Sequence, residues 1–256
     1  LMKILLVVNK TLRNDTKEWT DGGYWNLYLP LVKMGHDVFF YDTVRGEKKR
    51  FASIVDKFKP DLIFCCMTGD RFLTPNEPWE ELIQETQKGN CKTFNWFCDD
   101  AWRFETFSSR VCQYFHVCST PEVQYIRKFK DIGYDNIILG FWYSNIDVYP
   151  KTSNKDTDIS FCGQLNIDRR RFINYLIDSG VGIKNYHGLT TEEMLQAIAN
   201  SKIGVNFSKN YNGNPPVLQM KGRMVEVPAA GSMLLTEYAP GIEEHFVIDK
   251  EIITFK

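Results

Sequence analysis

Short apolar runs separated by helix-patterned segments set the strongest limit on how this chain can fold. Residues 3–8 (KILLVV), 36–41 (HDVFFY), 61–67 (DLIFCCM), 93–97 and 114–118 each have the length and apolar content of a buried strand, and 136–139 adds a short sixth. Helical patterns lie between them. Residues 24–34 carry Pro30 as an interruption, 47–58 place Phe51, Ile54, Val55 and Phe58 on one face before Pro60, and 78–88 end at Gly89–Asn90. Residues 119–122 read as a helix start, with Pro121 suited to the first turn. Such alternation specifies a parallel, doubly wound α/β sheet. Residues 149–158 (YPKTSNKDTD) lose the apolar period and read as a linker. Alternation then restarts, with strands at 159–162, 181–186, 203–207, 233–236 and near 252, and helices at 169–179 and 191–200, the latter capped by Thr190 or Thr191. The expected architecture is two Rossmann-like domains, 2–150 and 151–256, with parallel sheets facing a cleft, a common place for a ligand.

Several function classes are excluded by composition. A formal net charge of −1 in 256 residues leaves no electrostatic footprint for nucleic acid or an anionic membrane. The apolar run at 4–8 is too short to cross a bilayer. Seven cysteines show no disulfide framework and no zinc spacing, and Cys65–Cys66 sit within an apolar run as core thiols. A reducing, cytoplasmic location is the expectation. Neither GxGxxG nor GxxxxGK[ST] occurs, so dinucleotide and P-loop fingerprints are absent.

The most informative stretch is 219–238 (QMKGRMVEVPAAGSMLLTEY). Arg223 and Glu226 are three residues apart and share a helix face. Pro228, Ala229, Ala230 and Gly231 end that helix, and a buried strand follows. On spacing alone the pair is equally well an ordinary surface ion pair.

With FCG at 161–163, the arginines 169–171, SKIGVNFS at 201–208 and GRMVEVPAAGSMLLTE at 222–237, the second half resembles that of GT-B glycosyltransferases, nearest the family-4-like and CgeB-type groups. The first half agrees through Gly22–Gly23, which corresponds to the glycine loop after the first strand, through MGHDV at 34–38, and through FNWFCDD at 94–100. The resemblance implies transfer of a sugar from a nucleotide-diphosphate sugar to an acceptor hydroxyl, with retention, without a cofactor and without a bound metal. It implies that Glu226 matches the second glutamate of an E-x7-E motif and hydrogen-bonds the donor ribose, a role suited to a carboxylate. Leu218 stands where the first glutamate would be. Gly163 opens the donor site, Arg169, Arg170 or Arg171 falls near the diphosphate, and Arg223 stabilises its departure. Gly231 and Ser232 turn backbone amides toward the phosphates. His187 and His245 face the cleft in this pattern. Gly22 and Gly23 lie on the acceptor side.

Asp99 and Asp100, at a strand end, supply a candidate general base or acceptor contact, weighed against a turn and helix cap. Asp15, Lys17 and Glu18 are candidate acceptor contacts. His36 and His116 are expected to be structural. No protein nucleophile is evident. Two rival readings stand: a nucleotide-sugar epimerase or hydrolase on the same fold, and a non-catalytic nucleotide-binding module. The second domain is expected to be incomplete, truncated after the strand near 252, and the apolar surface this leaves is expected to pair two copies.

Overall fold

The computed structural model describes residues 1–13, 18–152 and 154–256. It divides into two compact units, one of Leu1–Phe141 with Asn212–Asn214, the other of Trp142–Tyr211 with Pro215–Lys256. The division at Phe141–Trp142 comes ahead of the polar segment at 149–158, so the residues from 142 to 150 belong with the second unit. Tyr149 shows why: it is a buried side chain of that unit, although its neighbours in sequence are polar.

The first unit is built on β1 (Lys3–Val8), followed by a short hairpin of β2 (Thr11–Arg13) and β3 (Glu18–Thr20). Asp15 and Lys17 lie outside the described residues. A wide π-helical turn, Tyr24–Tyr28, leads into α1 (Leu29–Lys33). Pro30 causes this change of pitch. It has no N–H for an i−4 bond, and the amide of Leu29 instead reaches back to Tyr24 O. Then come β4 (Asp37–Asp42), α2 (Phe51–Phe58), β5 (Leu62–Cys65), α3 (Trp79–Lys88) and β6 (Lys92–Trp96). After β6 the chain forms α4 (Asp100–Arg103), a second π turn at Phe104–Ser108 and α5 (Ser109–Val111). This helical run was not expected, because a π turn adds a residue and breaks the i, i+4 period by which a helix is read. It also moves the next strand, β7 (Val117–Thr120), later than expected. Ser119 and Thr120 are therefore strand, and α6 (Val123–Asp131) starts past Pro121. β8 (Ile137–Leu139) completes a six-stranded sheet of order β4-β1-β5-β6-β7-β8, parallel throughout. Its core packs Leu5, Val7, Ile63, Phe51, Leu82, Phe104 and Phe129 between the layers.

The second unit contains β9 (Thr157–Cys162), α7 (Ile167–Asp178), β10 (Ile183–Tyr186), α8 (Thr191–Ala199), β11 (Ser201–Asn206), a hairpin of β12 (Lys209–Asn210) and β13 (Val217–Leu218), α9 (Arg223–Ala229), β14 (Met233–Glu237) and β15 (Ile253–Phe255). The sheet order is β10-β9-β11-β14-β15, again all parallel. Helix starts follow their caps. Asn166 Oδ1 accepts from Arg169 N, and Thr190 with Glu193 forms a complete capping box. Two Rossmann-like α/β sheets, one per unit, are thus in place. Among the described residues no helix is long and apolar enough to cross a membrane, and all seven cysteines are free thiols.

Candidate functional site

In a parallel α/β sheet ligands gather at the carboxyl ends of the strands, so the position of each expected residue relative to that edge decides what it can do. In the second unit, Arg223 and Glu226 begin α9 on the carboxyl side of β11. Arg223 Nη1 lies 2.6 Å from Glu226 Oε2, and the two side chains are only 17% and 18% exposed. Arg223 Nη1 also approaches Met194 Sδ at 3.0 Å. Beside them is Tyr149, whose hydroxyl sits 2.8 Å from Ser144 Oγ. Burial pushes the Tyr149 phenol well above its ordinary value, with the Glu226 carboxylate adding to the rise. Cys162, the last residue of β9, is raised by burial as well and held back by Arg223. The Arg223–Glu226 pair is therefore not the exposed surface pair that spacing alone allows. It is a half-buried pair against an aromatic hydroxyl and a thiol. Gly222, just ahead, lies against Trp142, whose indole donates to Met220 O at 3.0 Å.

The arginines at 169–171 divide. Arg169 turns back over its own helix start, donating to Gln164 O at 2.9 Å and Lys209 O at 3.3 Å, and lies over the rings of Phe161 and Phe207. Burial lowers its pKa, with Glu237 opposing. Arg169 thus ties together the loops that follow β9 and β11. Arg170 and Arg171 are exposed, and Arg171 lies 3.9 Å from Asp168. Gly163 follows β9 and donates to Tyr186 O. A side chain there would strike the folded-back ring of Phe161 at 2.9 Å. His187 is exposed after the carboxyl end of β10, and His245 follows the 3-10 turn at Ile242–Glu244, its pKa lowered by burial. Leu218 lies on β13, paired with Lys209 and exposed.

Gly231 and Ser232 are the correction in this unit. They follow α9 and precede β14, which puts them at the amino edge of the sheet, the end opposite to Glu226. Gly231 takes φ +69 to end the helix, the left-handed turn that glycine adopts freely. The Ser232 hydroxyl lies 2.6 Å from Ser201 O and 3.0 Å from Ile198 O, and Lys155 Nζ donates to it while also capping Ala199 O. They join the sheet to its helices and are not part of a phosphate cradle. The sequence reading also missed Glu237, at the end of β14, whose Oε2 accepts from Lys209 N at 2.8 Å, and the Asp168–Lys209–Tyr211 cluster. Only the place of Glu237 at the end of β14 would have marked any of them.

In the first unit, Asp99 and Asp100 part company. Asp99 lines a small, open pocket at the carboxyl ends of β5 and β6, with Met67, Thr68, Phe97, Cys98, Arg103, Phe107 and Ser108. Asp100 is 0% exposed. Burial lifts its pKa to about 7, Asp99 adds to this, and the nearby Ser108 and Thr120 hydroxyls and Arg103 oppose it. The first turn of α4 directs it into the core, so the expectation that it contacts an acceptor is corrected. Gly22 and Gly23 start the Tyr24 turn. Gly23 is required by close approach, since a Cβ would meet Val8 Cγ2 at 2.7 Å. Glu18 pairs with Arg45. His36 accepts from Met2 N, and His116 from Thr93 N.

Residues 155–256 match the family described as glycosyl transferase-like. No curated protein matches the sequence at a significant level. Among solved structures, the avilamycin A biosynthesis glycosyltransferase AviGT4 is 12% identical with a TM-score of 0.62, covering 100% of this chain and 85% of its own. Anabaena HepE, solved with UDP and glucose, is 11% identical at TM-score 0.51, over 99% and 85%. A UDP-N-acetylglucosamine 2-epimerase is 10% identical at TM-score 0.50, over 92% and 78%. At such identity these likenesses speak for the fold, and the family match speaks for residues 155–256. The chain has the GT-B fold, and its residues 155–256 are similar to the glycosyl transferase-like family.

Proposed function

We propose that this protein is an enzyme that transfers a sugar from a nucleotide-diphosphate sugar to an acceptor hydroxyl, with the donor held by the second unit. The observation that carries this reading is the half-buried Arg223–Glu226 pair at the carboxyl edge of β11, inside the segment that matches the glycosyl transferase-like family. With Oε2 committed to Arg223, Glu226 Oε1 is the oxygen offered to a ribose hydroxyl. Arg223 and the exposed Arg170 and Arg171 supply positive charge that is in place before the diphosphate leaves, which favours the charged transition state over the bound substrate. Arg169 keeps the loops carrying these groups in register. HepE, of the same fold, binds UDP and glucose, which supports a UDP-sugar as the first donor to test. Asp99, on the pocket of the first unit, is the acceptor-side carboxylate and the candidate base. Retention of configuration and independence from metal follow from the family resemblance. A turnover assay with UDP-glucose, with and without acceptors, tests the whole. Nucleotide release that accelerates with acceptor and survives EDTA is expected. Acceptor-indifferent release would favour an epimerase or hydrolase, in line with the 2-epimerase of the same fold, and binding without turnover a nucleotide-binding module.

A further inference from the structure

Glu77 lies in the loop between β5 and α3, and its side chain is 3% exposed. Oε1 accepts from Thr68 N at 2.6 Å and lies 2.9 Å from the Thr74 hydroxyl. Oε2 accepts from Gly69 N at 2.8 Å and from the Trp79 indole N–H at 2.9 Å. The Thr68 hydroxyl lies 3.4 Å from Oε1 as well, and all these donors are neutral. A buried carboxylate satisfied in this way fixes the backbone that donates to it, because losing any one bond leaves charge uncompensated in a low dielectric. The segment it fixes is the rim of the pocket. Gly69 has φ +70, and a Cβ there would sit 2.5 Å from Phe107 Cε2. The Thr68 carbonyl accepts from the Arg103 guanidinium, which lies 4.7 Å over the Phe107 ring. The outer side of the loop is pinned too: Asn76 N donates to Thr43 O at 2.9 Å and Tyr41 OH to Asn76 O at 3.0 Å. Thr68, Arg103 and Phe107 line the pocket with Cys98 and Asp99.

We propose that Glu77 is a positioning residue for this pocket. It touches no ligand. It holds the Thr68–Gly69 turn, the turn holds Arg103, and the distance between Arg103 and Asp99 across the pocket follows. The occupant of the pocket, a hydroxyl-bearing acceptor, rests on the function proposed above, but the mechanical link from Glu77 to the pocket wall does not.

Glutamine tests this at nearly constant shape. Each carboxylate oxygen accepts from a backbone N–H, so a side-chain NH₂ must face a donor in either orientation. Glu85→Gln is the control, since Glu85 is equally buried in the same unit but pairs with Lys88 at 2.6 Å. In Glu77→Gln, amide exchange at Thr68 and Gly69 is expected to rise at least tenfold over Glu85→Gln, compared at equal loss of Tm. Alkylation of Cys98 by iodoacetamide is expected to change several-fold, and this readout is selective because the other six cysteines are buried. With UDP-glucose and free hexoses as probes, KM for the hexose should rise while the Kd for UDP-glucose stays the same. Equal exchange and alkylation in the two variants would overturn the proposal even if sugar transfer is observed. Altered exchange and alkylation with no transfer by the wild type would uphold Glu77 and remove the transferase reading instead.

Discussion

At the scale of single residues, burial changes what a side chain is for. Asp100 is the clearest case. Its pKa in the fold is about 7, against an ordinary value of 3.8, with burial as the main cause. The folded state therefore binds more protons than the unfolded one between those values, and stability falls as pH rises from about 4 to about 7. The span is on the order of 4 kcal/mol at 1.36 kcal/mol per unit. Asp100→Asn should flatten this part of the stability curve and raise Tm at pH 8 relative to the wild type. A pH profile unchanged by the substitution would remove Asp100 as its source. Glu226 makes the opposite case, because its partner stays behind. Glu226→Ala should weaken UDP-glucose binding roughly tenfold to a hundredfold, the range of one hydrogen bond to a charged acceptor. It should also cost about 1–2 kcal/mol of stability, since Arg223 is then half-buried without its carboxylate. Calorimetric titration and thermal melts separate the two effects, and unchanged affinity in a folded variant would sink the donor-site assignment.

At the scale of elements, close approaches and caps explain residues that periodicity passes over. Gly204 sits in β11 beneath α9, where a Cβ would lie 2.6 Å from Val227 Cγ2. That approach seats α9, and with it Arg223 and Glu226, directly on the sheet. Gly204→Ala should cost about 1–3 kcal/mol, as overpacking does, and should weaken donor binding as well because the helix start shifts. A variant as stable as wild type in urea would show that the helix tolerates the displacement. The Thr190 capping box is a local device with no such reach. Thr190→Ala should lower stability by about 1 kcal/mol and leave UDP-glucose affinity untouched. The π turns at Tyr24–Tyr28 and Phe104–Ser108 show how element reading fails. The first was legible only as a kink at Pro30, and the second not at all, since its extra residue scrambles the apolar spacing. The strands were read well because a buried parallel strand needs only a short apolar run between turn residues. Their ends moved by a few residues, most of all at β7.

At the scale of the molecule, each unit has its own sheet and its own core, so a donor that binds one unit should stabilise that unit by mass action. At a concentration about 100 times its Kd, a UDP-sugar should add about 2.7 kcal/mol, or roughly 10–15 °C in the unfolding of the second unit. UDP-, GDP-, ADP- and TDP-sugars compared by thermal shift identify the nucleotide, and no shift with any of them would argue against a nucleotide-sugar donor.

The sequence by itself determined the strands, their parallel arrangement in two α/β units, a threonine cap at 190 or 191 and the presence of a cation and carboxylate at the start of α9. These depend on neighbours within a few residues, where side-chain period and backbone chemistry act directly. The tertiary structure alone decided which end of a sheet each residue reaches and what meets it there. Gly231 and Ser232 lie only a few residues from Glu226 in sequence, yet the length of α9 carries them to the opposite edge. Asp99 and Asp100 are adjacent, yet one turn of helix sends one to a pocket and the other to the core. Glu77, flanked by Asn76 and Pro78 in a turn-rich loop, gives no sign of the donors that converge on it. Contacts between distant segments depend on how the chain returns on itself, and no local pattern of residues encodes that return.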